Sequence, residues 1–315
     1  MKPKLVSIVI SLYNEEGNVN KLFEELHQVE SALKSKVDFE YICVNDGSND
    51  HTLVNLQALM AEYSNIKIFN LYRNFGHEIA MSAGMDHALG DCVIFMDGDL
   101  QHPPSLIADM VEAWLAGNPV VLTRKITHGS DKTLLYKFLS KIYYFILDKL
   151  SDIKIPKDFP DFRLLDRKHI EMIKTISEND RMFRGLLNFV GYSDFKLLEF
   201  VVPDRFSGKT KYNFKRSFGL AVDSIMQFST KPLRLATYLG VLSVFISGSF
   251  GLYTFVEYLF FNVERTGYAT TLIVILFMGS IQLIILGIIG EYIGKIHLEV
   301  KKRPLYFGEL IENHR

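Results

Sequence analysis

Two long runs without a charged residue, close to the C-terminal end of the chain, restrict the fold most strongly. They cover residues 235–256 and 266–290, and each is longer than the ~20 residues that an α-helix needs to cross the hydrocarbon core of a bilayer. A pair of buried core helices is the alternative, but two neighbouring charge-free runs of this length are rare in soluble proteins. Because the connection from Phe261 to Arg265 is short, the sequence predicts a transmembrane hairpin.

The distribution of positive charge predicts how this hairpin is oriented. Lysine and arginine residues cluster between Lys209 and Arg234 and between Lys295 and Arg303, whereas the connection between the runs carries only Arg265. Basic residues mark the cytoplasmic side of membrane helices. We therefore expect a multi-pass protein of the cytoplasmic (inner) membrane with both termini in the cytoplasm. The net charge of −1 argues against a nucleic-acid-binding protein.

The N-terminal part of the chain has the pattern of an α/β protein. Short apolar runs at residues 5–12, 39–45, 66–71 and 92–97 predict strands, and segments with helical spacing at 19–33 and 52–63 lie between them. This alternation predicts a doubly wound, mostly parallel sheet, in which ligands bind beyond the carboxyl ends of the strands. Cys43 and Cys92 fall within predicted strands, and we expect both to be reduced, buried thiols.

Polar residues follow each of the four predicted strands. They are Asn14-Glu15, then Asn45 to Ser48, then Arg73-Asn74, and finally Asp97-Gly98-Asp99. The pair His77-Glu78 is interpreted as a solvated start of a helix. Because the carboxyl ends of parallel strands meet at one edge of a sheet, these clusters predict one site.

The chemistry of this site is suggested by the Asp-x-Asp pattern at residues 97–99. No G-x-G-x-x-G motif follows the first strand and no P-loop lysine motif is present, so a dehydrogenase and a P-loop enzyme are both disfavoured. Two carboxylates at a strand end suit a divalent metal ion that bridges a diphosphate. Gly98 lets the backbone turn tightly between them.

Nine segments of the chain together resemble a known family of enzymes. "SLYNEE", "VNDGSNDHT", "RNFGHEIAMSAGMDHALGD" and "DGDLQHPP" resemble the inverting family 2 glycosyltransferases of GT-A fold. "DFRLLDRK", "RMFRGLLNFVGY", "RFSGKTKYNF", "STKPLR" and "GEYIGKIHLEVKKRPLY" are similar to the membrane-anchored polyprenyl-phosphate glycosyltransferases, nearest to the bactoprenol (undecaprenyl-phosphate) glucosyltransferases and related to the dolichol-phosphate mannose synthases. The chain departs from the family at Ser11, where proline is usual, and at Gly98, where alanine or valine is commoner.

The resemblance implies a division of the chain into five parts. They are a nucleotide-sugar-binding half (1–125), an acceptor half (126–212), an interfacial amphipathic helix (213–232), the transmembrane hairpin (233–294) and a cytoplasmic tail (295–315).

The resemblance also implies roles for individual residues. Tyr13 and Glu15 line the base and ribose pocket, Asp46 hydrogen-bonds the uracil ring, Asp97 reaches the ribose and the metal, and Asp99 with Gln101 coordinates Mg²⁺ or Mn²⁺. Asn45 and Asp46 as caps of the following helix are the alternative.

On the acceptor side, Asp161 stands where the family has its candidate base. We assign it an orienting role through Arg163, because a phosphate acceptor is already ionised at neutral pH. Arg184, Arg205 and Lys211 are candidates for gripping the acceptor phosphate, with scattered surface cations as the alternative. The expected catalytic residues are therefore Asp97, Asp99, Asp161 and Arg163.

By resemblance, the expected reaction is inverting transfer of a sugar, with glucose expected, from a UDP-sugar to a polyprenyl phosphate at the cytoplasmic membrane face. Transfer of mannose, GlcNAc or a modified arabinose is an alternative. A processive polysaccharide synthase is disfavoured, because its Gln-x-x-Arg-Trp motif is missing and Trp114 is the sole tryptophan. A sensor or scaffold without catalysis is a further rival. Small-residue faces at Ser243-Ser247-Gly251 and Gly290-Gly294 fit close helix packing, which leaves homo-oligomerisation open.

Overall fold

The computed structural model describes residues 3–126, 159–176, 178, 190–191, 195–201, 229–261 and 267–313. Contacts divide the chain into two compact units. The first unit comprises residues 1–133, 155–212 and 303–315, and the second comprises residues 134–154 and 213–302.

The first unit alternates strands and helices as the hydrophobic pattern predicts. Its elements are β1 (Lys4–Leu12), α1 (Val19–Leu33), β2 (Val37–Asn45), α2 (Thr52–Glu62), β3 (Ile66–Leu71), α3 (His77–His87), β4 (Cys92–Asp97), α4 (Leu106–Leu115), β5 (Val120–Ile126), β6 (Arg163–Asp166), α5 (Arg167–Lys174), β7 (Lys196–Val201) and β8 (Gly308–Ile311). The four strands expected from the sequence are all present, with boundaries that differ by at most two residues.

These strands form one sheet in the order β7-β5-β6-β4-β1-β2-β3-β8. The central strands β4, β1, β2 and β3 are mutually parallel, while β6 and β8 run antiparallel to their neighbours. Helices α1, α2 and α4 pack their apolar residues on one face of the sheet, and α3 and α5 pack on the other. The predicted mostly parallel α/β architecture is confirmed. The chain order reverses between β1 and β4, which is where such sheets bind ligands.

The C-terminal segment completes the sheet rather than forming only a tail. β8 pairs antiparallel with β3, so that Gly308 lies opposite Leu71 and Ile311 lies opposite Ile68. The segment before β8 is also fixed, because the Tyr306 hydroxyl donates to the Asp86 carboxylate at 2.9 Å. This strand is not predicted from the sequence, since four residues are too few for a clear alternation.

The second unit contains two long helices, α6 (Lys231–Phe261) and α7 (Tyr268–Val300). Both are long and apolar enough to cross a membrane, and only 6% and 0% of their most apolar windows are buried. Core helices of a soluble protein would hide these side chains. The Tyr292 hydroxyl of α7 donates to the Ser229 carbonyl at 2.6 Å, just before α6. Residues 213–228 of the predicted interfacial helix lie outside the described part of the chain.

Candidate active site

The predicted site residues of the nucleotide half gather at the carboxyl ends of β1, β2 and β4. The strand register places Asn45 beside Leu12 and Asp97 beside Ser11. Asp46 and the Asp97–Asp99 turn therefore follow strands on either side of β1. The sheet thus brings together the acidic residues that the sequence keeps about fifty positions apart.

The loops after β1 and β2 are tied to each other by hydrogen bonds. The Asn14 amide donates to the Ser48 hydroxyl at 3.0 Å, and the Asn49 amide donates to the Asn14 side chain at 2.8 Å. The Glu15 amide donates to the Thr52 hydroxyl at 2.9 Å. Asn14 has a φ of 57°, a left-handed conformation that asparagine tolerates better than most residues. These contacts fix the backbone of the two loops that are expected to hold the nucleotide.

Two predicted nucleotide-pocket residues emerge from these loops. The Tyr13 side chain is 38% exposed, so its ring is available to a ligand. The Glu15 carboxylate accepts a hydrogen bond from the Asn18 side chain at 2.5 Å. Their contacts with a base and ribose remain predictions.

Asp46 is buried and holds the loop that precedes α3. Its carboxylate accepts hydrogen bonds from the amides of Phe75 at 2.7 Å and Gly76 at 3.0 Å. Burial raises the pKa of Asp46, and these two amides oppose that shift. The carboxylate does not cap α2, where the Thr52 amide donates to Asp50 instead. A uracil contact of Asp46 remains a prediction.

The Asp97–Asp99 turn has the donor chemistry that a divalent cation needs. The Asp99 carboxylate accepts from the Gln101 amide at 3.1 Å, and Leu100 has a φ of 60°, a strained backbone typical of functional turns. Oδ1 of Asp97 is buried and accepts no hydrogen bond from the described residues, although Nε2 of His77 lies 3.5 Å from it. An oxygen of this kind is well suited to a cation.

The turn does not form a complete metal cage by itself. Within the described ranges, no three His, Cys, Asp or Glu side chains converge as a metal-binding group. This composition fits Mg²⁺ or Mn²⁺, because Mg²⁺ sites usually combine one or two carboxylates with phosphate oxygens of the substrate. The residues present therefore fit a metal that is held jointly with a diphosphate.

Gly98 lies close to β1 under the turn. A Cβ at this position would lie 2.9 Å from Cδ2 of Leu12 and 3.3 Å from the Ser11 carbonyl oxygen. Alanine or valine, which are commoner at this position in the family, would push Leu12 away. The glycine at position 98, which departs from the family pattern, thus leaves room for the Leu12 side chain of β1.

His102 supports the Asp97–Asp99 turn through a hydrogen bond and a ring contact. It is 1% exposed, its ring stacks on Phe162 with centroids 5.0 Å apart, and Nδ1 accepts the Asp97 amide at 3.0 Å. Burial lowers the pKa of His102, and because Nδ1 accepts a hydrogen bond, this nitrogen carries no proton.

Asp161 and Arg163 form a buried ion pair next to this turn. Their side chains are 3% and 4% exposed, and Nη2 of Arg163 lies 2.6 Å from Oδ1 of Asp161. Arg163 begins β6, which pairs with β4 so that Arg163 lies opposite Phe95. This pairing carries Asp161 from the acceptor half to the end of β4. The two residues are therefore in contact, while the orienting role of Asp161 stays a prediction.

His77, which the sequence predicts to lie at a solvated helix start, is located between the two acidic groups. Its Nε2 is 3.5 Å from Oδ1 of Asp97 and 3.7 Å from Oδ2 of Asp161, and its Nδ1 is 3.3 Å from the Ser11 hydroxyl. Burial lowers the pKa of His77, but Asp97 and Asp161 outweigh this effect and raise the pKa to about 10. The rule that ligands bind beyond strand ends could have found His77, because it follows β3 at the same edge.

The acceptor-phosphate candidates Arg184, Arg205 and Lys211 lie outside the described residues. The other predicted site residues are described, and the structure brings them together at one edge of the sheet: Tyr13, Glu15, Asp46, Asp97, Asp99, Gln101, Asp161 and Arg163. His77 is an additional residue of this site.

Comparison with known proteins gives two family matches and near full-length relatives. Residues 7–173 match glycosyl transferase family 2, and residues 231–296 match the GtrB C-terminal hairpin. The chain is 43% identical over 302 residues to an uncharacterized glycosyltransferase of Synechocystis, with 96% of this chain and 93% of the relative covered. It is 36% identical over 310 residues to the bactoprenol glucosyl transferase of Shigella phage SfII, with 98% of each covered.

A solved structure is also similar. The structure of S. aureus TarS 1-349 in complex with UDP-GlcNAc aligns with a TM-score of 0.47 and 16% identity, covering 71% of this chain and 65% of that one.

The sheet, its acidic turn and the family match define a glycosyltransferase of GT-A fold. The chain belongs to glycosyl transferase family 2, as the resemblance of its motifs implied.

Proposed function

We propose that the chain transfers glucose from UDP-glucose to undecaprenyl or another polyprenyl phosphate at the cytoplasmic face of the membrane, with inversion at the anomeric carbon. The observation that carries this proposal is the Asp97–Asp99 turn at the strand-order reversal of a family 2 chain. The identity to bactoprenol glucosyl transferases, which extends through the two apolar helices, supports the lipid acceptor.

Asp97, Asp99 and Gln101 would hold Mg²⁺ or Mn²⁺ in this reaction. When bound, the ion supplies positive charge that stabilises the leaving diphosphate. The loops after β1 and β2, which hydrogen bonds hold together, would orient the uridine on the other side of β1. Tyr13, Glu15 and Asp46 would contribute to this. These six residues would position the sugar donor, and the strands of the sheet would hold them in place.

The acceptor needs little help to become a nucleophile. The second pKa of a phosphate monoester is near 6, so at neutral pH it is mostly a dianion. Asp161 therefore has an orienting role, which its pairing with Arg163 supports. Because a dianion must approach an anionic donor, further cations are needed, and Arg184, Arg205 and Lys211 are the sequence candidates.

A donor and acceptor screen tests the proposed function. Purified protein is incubated with undecaprenyl phosphate, divalent metal and radiolabelled UDP-glucose, UDP-GlcNAc or GDP-mannose. We expect a labelled lipid product only with UDP-glucose and only when the lipid is present. A product from another donor would correct the sugar, polymer formation would favour a processive synthase, and donor binding without any product would favour a sensor.

Cysteine labelling tests the proposed topology, in which both ends of the hairpin are cytoplasmic. Besides the charge distribution, the pairing of β8 with β3 supports it, because the chain returns after α7 to the unit that precedes α6. Both native cysteines are free and buried, as expected from the sequence, and burial raises the pKa of each thiol. Background labelling should therefore be low.

We expect a membrane-impermeant maleimide to label Gly267→Cys, between the two helices, in intact cells. Ser64→Cys, an exposed turn residue of the sheet unit, should be labelled only after the membrane is permeabilised. The reverse pattern would place the catalytic unit on the side without UDP-sugars and would contradict the topology.

A further inference from the structure

The His77 side chain contacts acidic residues from both the donor and the acceptor parts of the site. Asp97 is the last residue of β4, and Asp161 belongs to the segment before β6. Nε2 of His77 lies within 4 Å of a carboxylate oxygen of each, at 3.5 Å and 3.7 Å. These distances are longer than a good N–H···O hydrogen bond, but such bonds are often long without substrate and tighten in the complex.

Neighbouring residues hold the His77 side chain in its position. It is the first residue of α3, and Gly76 before it has a φ of 101°. The Asp46 carboxylate holds the amides of Phe75 and Gly76, and the Ser11 hydroxyl lies 3.3 Å from Nδ1 of His77. A ring held from the backbone and from one nitrogen has its other nitrogen directed to the two carboxylates.

Geometry of this kind matters for a transfer between two anionic groups. The phosphate oxygen of the acceptor must reach the anomeric carbon opposite the leaving diphosphate, and an error of 1 Å in placing reactants can cost about 10²-fold in rate. Asp97 and Asp161 are both negatively charged and repel each other. An N–H group that donates to both carboxylates fixes their separation. It thereby fixes the placement of the sugar-donor side of the site relative to the acceptor side.

We propose that His77 is a positioning residue that ties Asp97 to Asp161, and that Asp46 sets its place through the Phe75-Gly76 loop. The inference rests on the proposed transferase function, but not on which sugar is transferred. It predicts that the length of the side chain at position 77 and its N–H donor matter, because Nε2 of histidine carries the contact.

Three substitutions at position 77 test this role. His77→Phe keeps a ring without a donor, His77→Gln places an amide N–H close to the Nε2 position, and His77→Asn reaches only the Nδ1 position. We expect kcat to fall about 10²-fold for the phenylalanine and asparagine variants and to be largely retained by the glutamine variant. Affinity for a fluorescent UDP analogue and the unfolding temperature should change little in all three.

His87→Phe is the matched control, because His87 ends the same helix and stacks on Phe69 away from the site. It should keep wild-type kcat. The inference is overturned if His77→Phe also keeps wild-type kcat, if His77→Gln is as slow as His77→Phe, or if the variants lose UDP affinity or stability instead of turnover. A wild-type protein without transfer would instead reject the proposed function, and the inference with it.

Discussion

Asp99→Asn is expected to lower kcat/KM for sugar transfer by about 10²–10³-fold, the range found when one group that stabilises developing charge is removed. Asparagine is nearly isosteric with aspartate, and its side-chain oxygen can still accept the Gln101 amide that now donates to Asp99. The fold should therefore be kept, while the negative charge needed by a divalent cation is lost. Initial rates measured over a titration of Mg²⁺ or Mn²⁺ should show weaker metal dependence and slower transfer together.

Asp109→Asn provides the control, since Asp109 is an exposed residue of α4 that lies outside the site. It should have the rate and metal requirement of the wild type. Full activity of Asp99→Asn in the presence of EDTA would show that the acidic turn does not hold a metal that the reaction needs.

Asp161→Asn is expected to slow transfer about 10²-fold, because the segment around Asp161 loses its orientation. The same change removes one charge of a buried ion pair, and such a loss typically costs about 3–5 kcal/mol of stability. The unfolding temperature should thus fall as well, in contrast to Asp99→Asn. Asp161→Glu, which keeps the charge, should restore stability more fully than the asparagine variant.

The pH profile and chemical rescue separate an orienting role of Asp161 from that of a base. Since the acceptor phosphate is already ionised, Asp161→Asn should show no steep new dependence of kcat on pH. Azide or formate should not restore activity to Asp161→Ala. Restoration by either anion would show that Asp161 removes a proton and that the base-free mechanism is wrong.

Much of the fold followed from periodicity alone. Strands β1 to β4 have strong apolar patterns and clear turn signals. Because parallel strands align their carboxyl ends, the position of the acidic site followed too. β8 was not predicted, because its four residues are stabilised by pairing with β3, more than two hundred residues earlier in the chain. Local sequence carries no information about such a distant partner.

The site itself was predictable in its parts but not in its contacts. Asp97, Asp99 and Asp161 could be named from motifs, whereas the place of His77 depends on how α3 enters beside β1 and β4. A histidine next to a glutamate at a helix start is ordinary on a surface, so sequence alone favoured a solvated residue. Likewise, nothing in the sequence indicated that the Asp46 carboxylate accepts hydrogen bonds from the amides of Phe75 and Gly76.

The pairing of β8 with β3 has a consequence for the biosynthesis of the protein. Translation proceeds from the N-terminus, and domains begin to fold as they emerge, so the sheet from β1 to β7 precedes both apolar helices out of the ribosome. Until residues 308–311 follow, the free edge of β3 presents unpaired amide and carbonyl groups, which are prone to pair with other chains.

In the proposed topology, β8 can pair with β3 only if both helices have crossed the membrane and the chain has returned to the side of the sheet. A nascent chain that inserted only one of its two helices would place β8 on the opposite side of the bilayer from β3. The edge of β3 would then remain unpaired. If the hairpin spans the membrane as proposed, correct insertion is a condition for completing the sheet. A chain that fails to insert correctly would expose the edge of β3 to chaperones and proteases.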